Sequence, residues 1–177
     1  MILGPKKLLQ LVKSKKLVEG LSERELTNPE GTGFDLRLGE VYKISGKAFL
    51  GETHRQTPDI TLIKKFGKDK SIKVKPGDFY LFKTIEKINL PVNLSAAILP
   101  RTTTFRSGLF LRTGPVQPGY QGELTFGIKN EGPVNVEVEM GARFAHVIFS
   151  EIKGSGSSYR GQWQGGRVSA TKREKQV

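Results

Sequence analysis

The sequence contains no cysteine, which removes disulfide bridges, thiolate metal ligands and thiol nucleophiles from consideration. Histidine is almost as scarce. His54 and His146 are isolated from each other and from any carboxylate pair at ligand spacing, so no zinc or other transition-metal centre is expected. Acidic residues are outnumbered, 17 against 29 lysines and arginines, giving a formal charge of +12 and an attraction to nucleic acid, nucleotides or an acidic partner. The charge alone does not choose among these. No apolar run approaches membrane-spanning length, and Met1-Ile2-Leu3-Gly4-Pro5 meets Lys6 and Lys7 too soon for a signal peptide. A cytoplasmic protein without membrane attachment is expected. The single tryptophan, Trp163, sits in a polar, glycine-rich segment with no local core, so it is expected to dock on a neighbouring subunit or a base.

What is present suffices for one domain of 177 residues, burying roughly two-thirds of the surface its unfolded chain exposes. Leu8, Leu9, Leu11, Val12 and Leu17 recur at helical spacing after Pro5, predicting one amphipathic helix over 5–18. Its lysines form a solvated face, with no aromatic among them for base stacking. After Asn28-Pro29 the texture becomes short alternating runs: 34–44, 60–64, 71–74, 78–88, 95–99, 109–112, 123–129, 135–139 and 143–152. Many short strands behind one helix predict a mostly β sandwich, jelly-roll or barrel. No repeat or internal boundary interrupts 1–153. The Gly/Ser run 154–158 then opens a basic arm, 154–177, expected to be flexible.

Two stretches carry candidate chemistry. Pro100-Arg101-Thr102-Thr103-Thr104-Phe105-Arg106 places two guanidinium groups and three hydroxyls on one turn, an anion site in outline. The bland alternative is that Arg101 pairs with a carboxylate while the threonines cap the turn. Pro118-Gly119-Tyr120-Gln121-Gly122 is a tight turn bearing one aromatic, followed by the alternating run Glu123 to Lys129. Asp35 and His146 lie in strands, where both read as structural groups, the aspartate by satisfying loop N–H groups.

In order along the chain, Gly33-Phe34-Asp35-Leu36-Arg37, Pro100-Arg101-Thr102-Thr103, Pro118-Gly119-Tyr120-Gln121-Gly122, Gly141-Ala142-Arg143-Phe144-Ala145-His146 and Tyr159-Arg160-Gly161-Gln162-Trp163-Gln164-Gly165 resemble five motifs of one family. That family is the trimeric dUTPase and dCTP deaminase superfamily, and the opening Met1-Ile2-Leu3 with its basic helix is similar to the deaminase branch. The resemblance implies a distorted jelly-roll (β-clip barrel) and a homotrimer with sites at subunit interfaces. It implies water attack at C4 of dCTP or at the α-phosphate of dUTP, with magnesium riding on the triphosphate and no zinc. By the same carry-over, Arg101, Thr102 and Thr103 hold the triphosphate, and Thr102 and Arg106 lie near the reacting water. Tyr120 packs on the deoxyribose, while Tyr159, Trp163 and Gln164 belong to an arm that closes over the nucleotide.

Two departures bear on catalysis. Gln117 stands where the family has an aspartate near the sugar, and Gly127 where the deaminase branch has its general-base glutamate. Neither an amide nor glycine can relay a proton. Glu123 shares a strand face with position 127 but lies about 13 Å away along an extended strand. A nucleotide-binding or regulatory protein without the chemistry is therefore carried beside the enzyme reading. A nucleic-acid surface is the third reading, disfavoured because the basic residues are scattered in sequence.

Overall fold

The computed structural model describes residues 1–154 and 156–176; Ser155, within the Gly/Ser run, and Val177 lie outside them. Helix α1 (Pro5–Lys15) starts on proline, as expected, and fully buries Leu8. It stops short of Val18. Lys16 takes a left-handed conformation (φ 52°), its N–H reaches the Val12 carbonyl (3.0 Å), and the Leu17 N–H reaches Leu11 (3.3 Å). This left-handed (αL) cap releases Leu17 and Val18 into the core, where β1 (Val18–Glu19) pairs with a long strand. A second short helix, α2 (Glu23–Thr27), was not signalled by periodicity, and it exists to bury Glu25 beneath the sheet's polar cluster.

The strands follow the expected runs to within one or two residues. They are β2 (Gly33–Ser45), β5 (Asp59–Lys65), β6 (Ser71–Val74), β7 (Phe79–Asn89), β8 (Leu94–Pro100), β9 (Leu109–Arg112), β10 (Gln121–Asn130), β11 (Val136–Glu139) and β12 (Arg143–Glu151). Sequence reading missed three two- or three-residue strands, β3 (Phe49–Leu50), β4 (His54–Gln56) and β13 (Glu174–Lys175), besides β1. Between β8 and β9 lies helix α3 (Thr102–Arg106).

The main sheet runs β8-β12-β2-β7-β10-β9, all antiparallel, with β5 and β1 attached at its side. Its two ends approach each other. An isolated bridge joins Ala96 to Val116, and the Thr113 hydroxyl donates to the Ile98 carbonyl (3.0 Å), so the sheet is nearly closed into a barrel. Inside, alternation delivers Phe34, Leu36 and Leu38 from β2, Phe82 from β7, Phe126 and Ile128 from β10, and Phe149 from β12. Phe144 meets Phe82 and Phe126 edge-on at 5.7 and 6.0 Å, which fixes the three central strands against one another. The fold is thus mostly β, as expected, with three helices rather than one among the described residues.

The described part of the arm lies along this body. Tyr159 N–H donates to Pro118 O (2.6 Å), Gly165 N–H to Gln121 O (2.7 Å), and Thr57 N–H to Ala170 O (3.0 Å). Strand β13 then pairs with β4, completing a small sheet β13-β4-β3. Among the described residues, no helix is long and apolar enough to cross a membrane.

Candidate functional site

The threonine-rich turn is anchored to β12. Arg101 N–H and the buried Thr104 hydroxyl both donate to the Phe144 carbonyl, at 3.1 and 2.8 Å. Thr102, Thr103 and Arg106 are left exposed, and their side chains have no partner among the described residues. Arg101 does have one: its Nε lies 3.0 Å from Asp35 Oδ2, an ion pair. The same oxygen takes Arg143 Nη1 at 2.9 Å, and Asp35 Oδ1 faces His146 Nδ1 at 2.8 Å. Pairing of Arg101 with a carboxylate, the bland alternative, is thus realised, and it leaves Arg101's two Nη groups for a ligand.

Asp35 does not satisfy loop N–H groups, contrary to expectation. Its carboxylate, 8% exposed, is the hub of a cationic cluster, and the neighbouring backbone is served by Glu25, whose Oε2 accepts the Asp35 N–H at 3.1 Å. Burial alone would raise the Asp35 pKa, but the hydrogen bond from His146 and the charges of Arg101, His146 and Arg143 outweigh it and hold the carboxyl below the usual range. With both oxygens committed, Asp35 has none free for a cation, and no group of three or more His, Asp or Glu lies together among the described residues.

A second region lies on the other side of the barrel wall. Strand β10 buries Leu124, Phe126 and Ile128 inside and turns Glu123, Thr125 and Gly127 outward. That outer face floors a cavity of about 510 Å³. Phe79, Leu81, Ile60 and Tyr120 form its walls, Gln117 stands at one edge, and Tyr159, Trp163 and Val168 of the arm roof it. Tyr120 is also a core residue, its hydroxyl donating to Glu123 O (2.6 Å) and its ring edge-on to Tyr159 at 5.5 Å. Burial, with smaller contributions from Tyr159 and Glu123, raises its pKa to about 12, so it is a neutral wall at any working pH. Thr125 Oγ1 is buried and has no partner.

Trp163 packs against residues of its own chain. The Arg55 guanidinium sits 4.9 Å over its ring, and the Trp163 backbone N–H donates to the Tyr159 hydroxyl (3.3 Å). Gln164 is spent on the same closure: its amide donates to Gly119 O and accepts from Gln121 N–H, both at 3.1 Å. Closure requires Gly122. It has φ 142°, and a Cβ there would stand 2.2 Å from Gly166 N. Gly122→Ala is therefore expected to lift the arm at a cost of about 1–3 kcal/mol. Trp163 emission should shift to the red and proteolysis between 156 and 166 should accelerate, while the far-UV spectrum stays that of the wild type.

Position 127 does not face empty space. A Cβ at Gly127 would lie 3.0 and 3.2 Å from Cζ and Cε2 of Phe79, the ring that occupies this part of the cavity. Sequence reading missed Phe79, although the period-2 alternation of β7 with the Leu81–Gly127 register places both on this face. Glu123 is the only carboxylate lining the cavity among the described residues, and it leans toward Lys83, 3.6 Å away.

The candidate residues thus fall into two groups. Gln117, Tyr120, Tyr159 and Trp163 line the first cavity; Arg101 and Thr103 line another, of about 560 Å³, beside Phe82, Phe144 and Val138. The two cavities have no lining residue in common. A family model described as dCTP deaminase-like matches residues 2–152. The chain belongs to the dCTP deaminase-like family. Its relatives carry both of that superfamily's activities in their names. A dUMP-forming dCTP deaminase from Dictyoglomus turgidum is 28% identical over 92% of this chain and 91% of its own. A probable deoxyuridine 5′-triphosphate nucleotidohydrolase from Methanothermobacter thermautotrophicus is 29% identical over 79% of this chain and 89% of its own. Among solved structures, a 2′-deoxycytidine 5′-triphosphate deaminase from Agrobacterium tumefaciens superposes with a TM-score of 0.66 at 18% identity, covering 84% of this chain, which supports the fold. The present chain spans about half the length of that protein, 48%.

Proposed function

We propose that this dCTP deaminase-like chain binds a pyrimidine deoxynucleoside triphosphate at sites shared between copies of a cytoplasmic homotrimer, with fast deamination and hydrolysis lost. The separation of the two groups of residues carries the shared site. Base and sugar enter the cavity under the arm, against Tyr120, and the phosphates reach Arg101, Thr102, Thr103 and Arg106 of an adjacent copy. A second observation supports the loss of chemistry: Phe79 lies over Gly127, and Glu123 is held toward Lys83. No positioned base is then available to the attacking water. Magnesium would arrive with the triphosphate, since Asp35 has no oxygen to offer it and no protein cage is needed.

Calorimetry with dCTP and dUTP in magnesium buffer, with sedimentation of the same samples, tests this reading. Micromolar-range binding to a trimer is expected. Arg101→Ala should weaken it at least tenfold, because each charge-assisted hydrogen bond contributes about 1.5–3 kcal/mol. A monomer that binds as tightly as the assembled protein would overturn the shared site.

A further inference from the structure

The small sheet built from β3, β4 and β13 is assembled from segments more than a hundred residues apart. Residues 46–58 and 167–176 contain six lysines and arginines against two acids, a local charge of 6 − 2 = +4. Register sorts these side chains between two faces. Leu50 is opposite Arg55, and Arg55 opposite Glu174, so these three share one face. That face turns toward the arm, with Arg55 over Trp163 and Glu174 bonded to Arg167 at 3.0 Å. Phe49 is opposite Gln56, and His54 opposite Lys175, so alternation gives the other face Phe49, His54, Gln56, Lys175 and, two residues before Lys175, Arg173.

That second face is open. Phe49 is 41% exposed, and Arg173, His54 and Lys175 are exposed as well. The Arg173 guanidinium lies 4.0 Å over the Phe49 ring, a preformed cation–π pair, and among the described strand residues no acid shares the face. Lys47, two residues before Phe49, adds a third cation at the edge. Arg173 and β13 lie beyond the residues that match the family model.

We propose that this face binds a single-stranded polynucleotide. Its chemistry is that of a stacking platform: a guanidinium plane backed by an aromatic ring for a base, and flanking cations for successive phosphates. Strands of two or three residues offer nothing long enough to enter a duplex major groove about 8.5 Å deep. The occupant is therefore a single strand, DNA or RNA. β-pairing brings Arg173 and Lys175 of the arm beside Phe49, more than a hundred residues away in sequence.

Fluorescence anisotropy on the full chain tests the proposal, using labelled 15-mers of deoxythymidine and of uridine, and a duplex of the same length. Micromolar binding to at least one single strand is expected, with whichever is tighter naming the source. Three phosphate contacts give a salt slope near −2, so affinity should fall roughly twentyfold between 50 and 200 mM salt. Phe49→Ala with Arg173→Ala should weaken binding at least tenfold, while Lys6→Ala with Lys7→Ala on α1 leaves it unchanged. Arg173→Lys, which keeps the charge but loses the plane, should weaken binding severalfold at an unaltered salt slope. dCTP binding by each variant verifies that the barrel is intact. Absence of single-strand binding, equal affinity for the duplex, or loss through the α1 variants instead would each overturn the proposal.

Discussion

Asp35→Ala is expected to destabilise the protein by about 3–5 kcal/mol, among the largest losses any single substitution would cause here. The carboxylate is 8% exposed and holds Arg101, Arg143 and His146 within 3.0 Å, so its removal leaves two half-buried guanidinium groups and an imidazole without their shared anion. Asp35→Asn keeps the volume and isolates the charge. Because the folded carboxyl is held below its ordinary value, its stabilisation is present above about pH 4, the unfolded range, and is lost as pH falls through the lowered folded value. Urea unfolding from pH 7 to pH 2 should show a wild-type advantage over Asp35→Asn that is full at neutral pH and shrinks below pH 4. A constant difference would mean the charge is not what stabilises the cluster.

The same substitution tests how the phosphate turn is organised. Deleting an acid beside an anion site should tighten binding if charge alone mattered. If Asp35 instead aims Arg101 by holding its Nε, binding should weaken about tenfold, the equivalent of one charge-assisted hydrogen bond. Weakening is the expected result.

The fold was legible in the sequence because period-2 alternation and Pro/Gly turns are local signals. Leu124, Phe126 and Ile128 share one face of the alternating run Glu123 to Lys129, opposite Glu123, Thr125 and Lys129, and all three are buried. Order of motifs likewise gave the family. What the sequence did not display was contact between distant segments. Nothing local announces that Lys16 will end α1 in a left-handed turn, that Arg173 will cover Phe49, or that Asp35 will serve Arg101 and Arg143 together. Arg143 did leave a trace, a lone cation at the head of an apolar strand that had to find an anion if half-buried. The division of the motifs between two cavities was also hidden, because the order of motifs along the chain does not say which side of the barrel wall each reaches.

Turnover of dCTP and dUTP by the wild-type protein is expected to lie about 10²–10⁴ below a typical enzyme rate of ~10 s⁻¹, the usual consequence of a missing positioned base. The paired substitutions Gly127→Glu and Gln117→Asp should recover much of that factor. The obstacle is Phe79, whose ring atoms lie 3.0 and 3.2 Å from the new Cβ, tighter than an ordinary contact. It is a movable obstacle, for Phe79 is 37% exposed and can swing outward. Adding Phe79→Ala to the pair should therefore raise the recovered single-turnover rate at saturating nucleotide further, whatever it does to affinity, because Phe79 also walls the cavity assigned to base and sugar. Single-turnover assays with radiolabelled dCTP and dUTP would measure all three proteins. A wild type already turning over near ~10 s⁻¹ would put the proton transfer on Glu123, the one carboxylate lining the cavity, and Glu123→Gln would then abolish it.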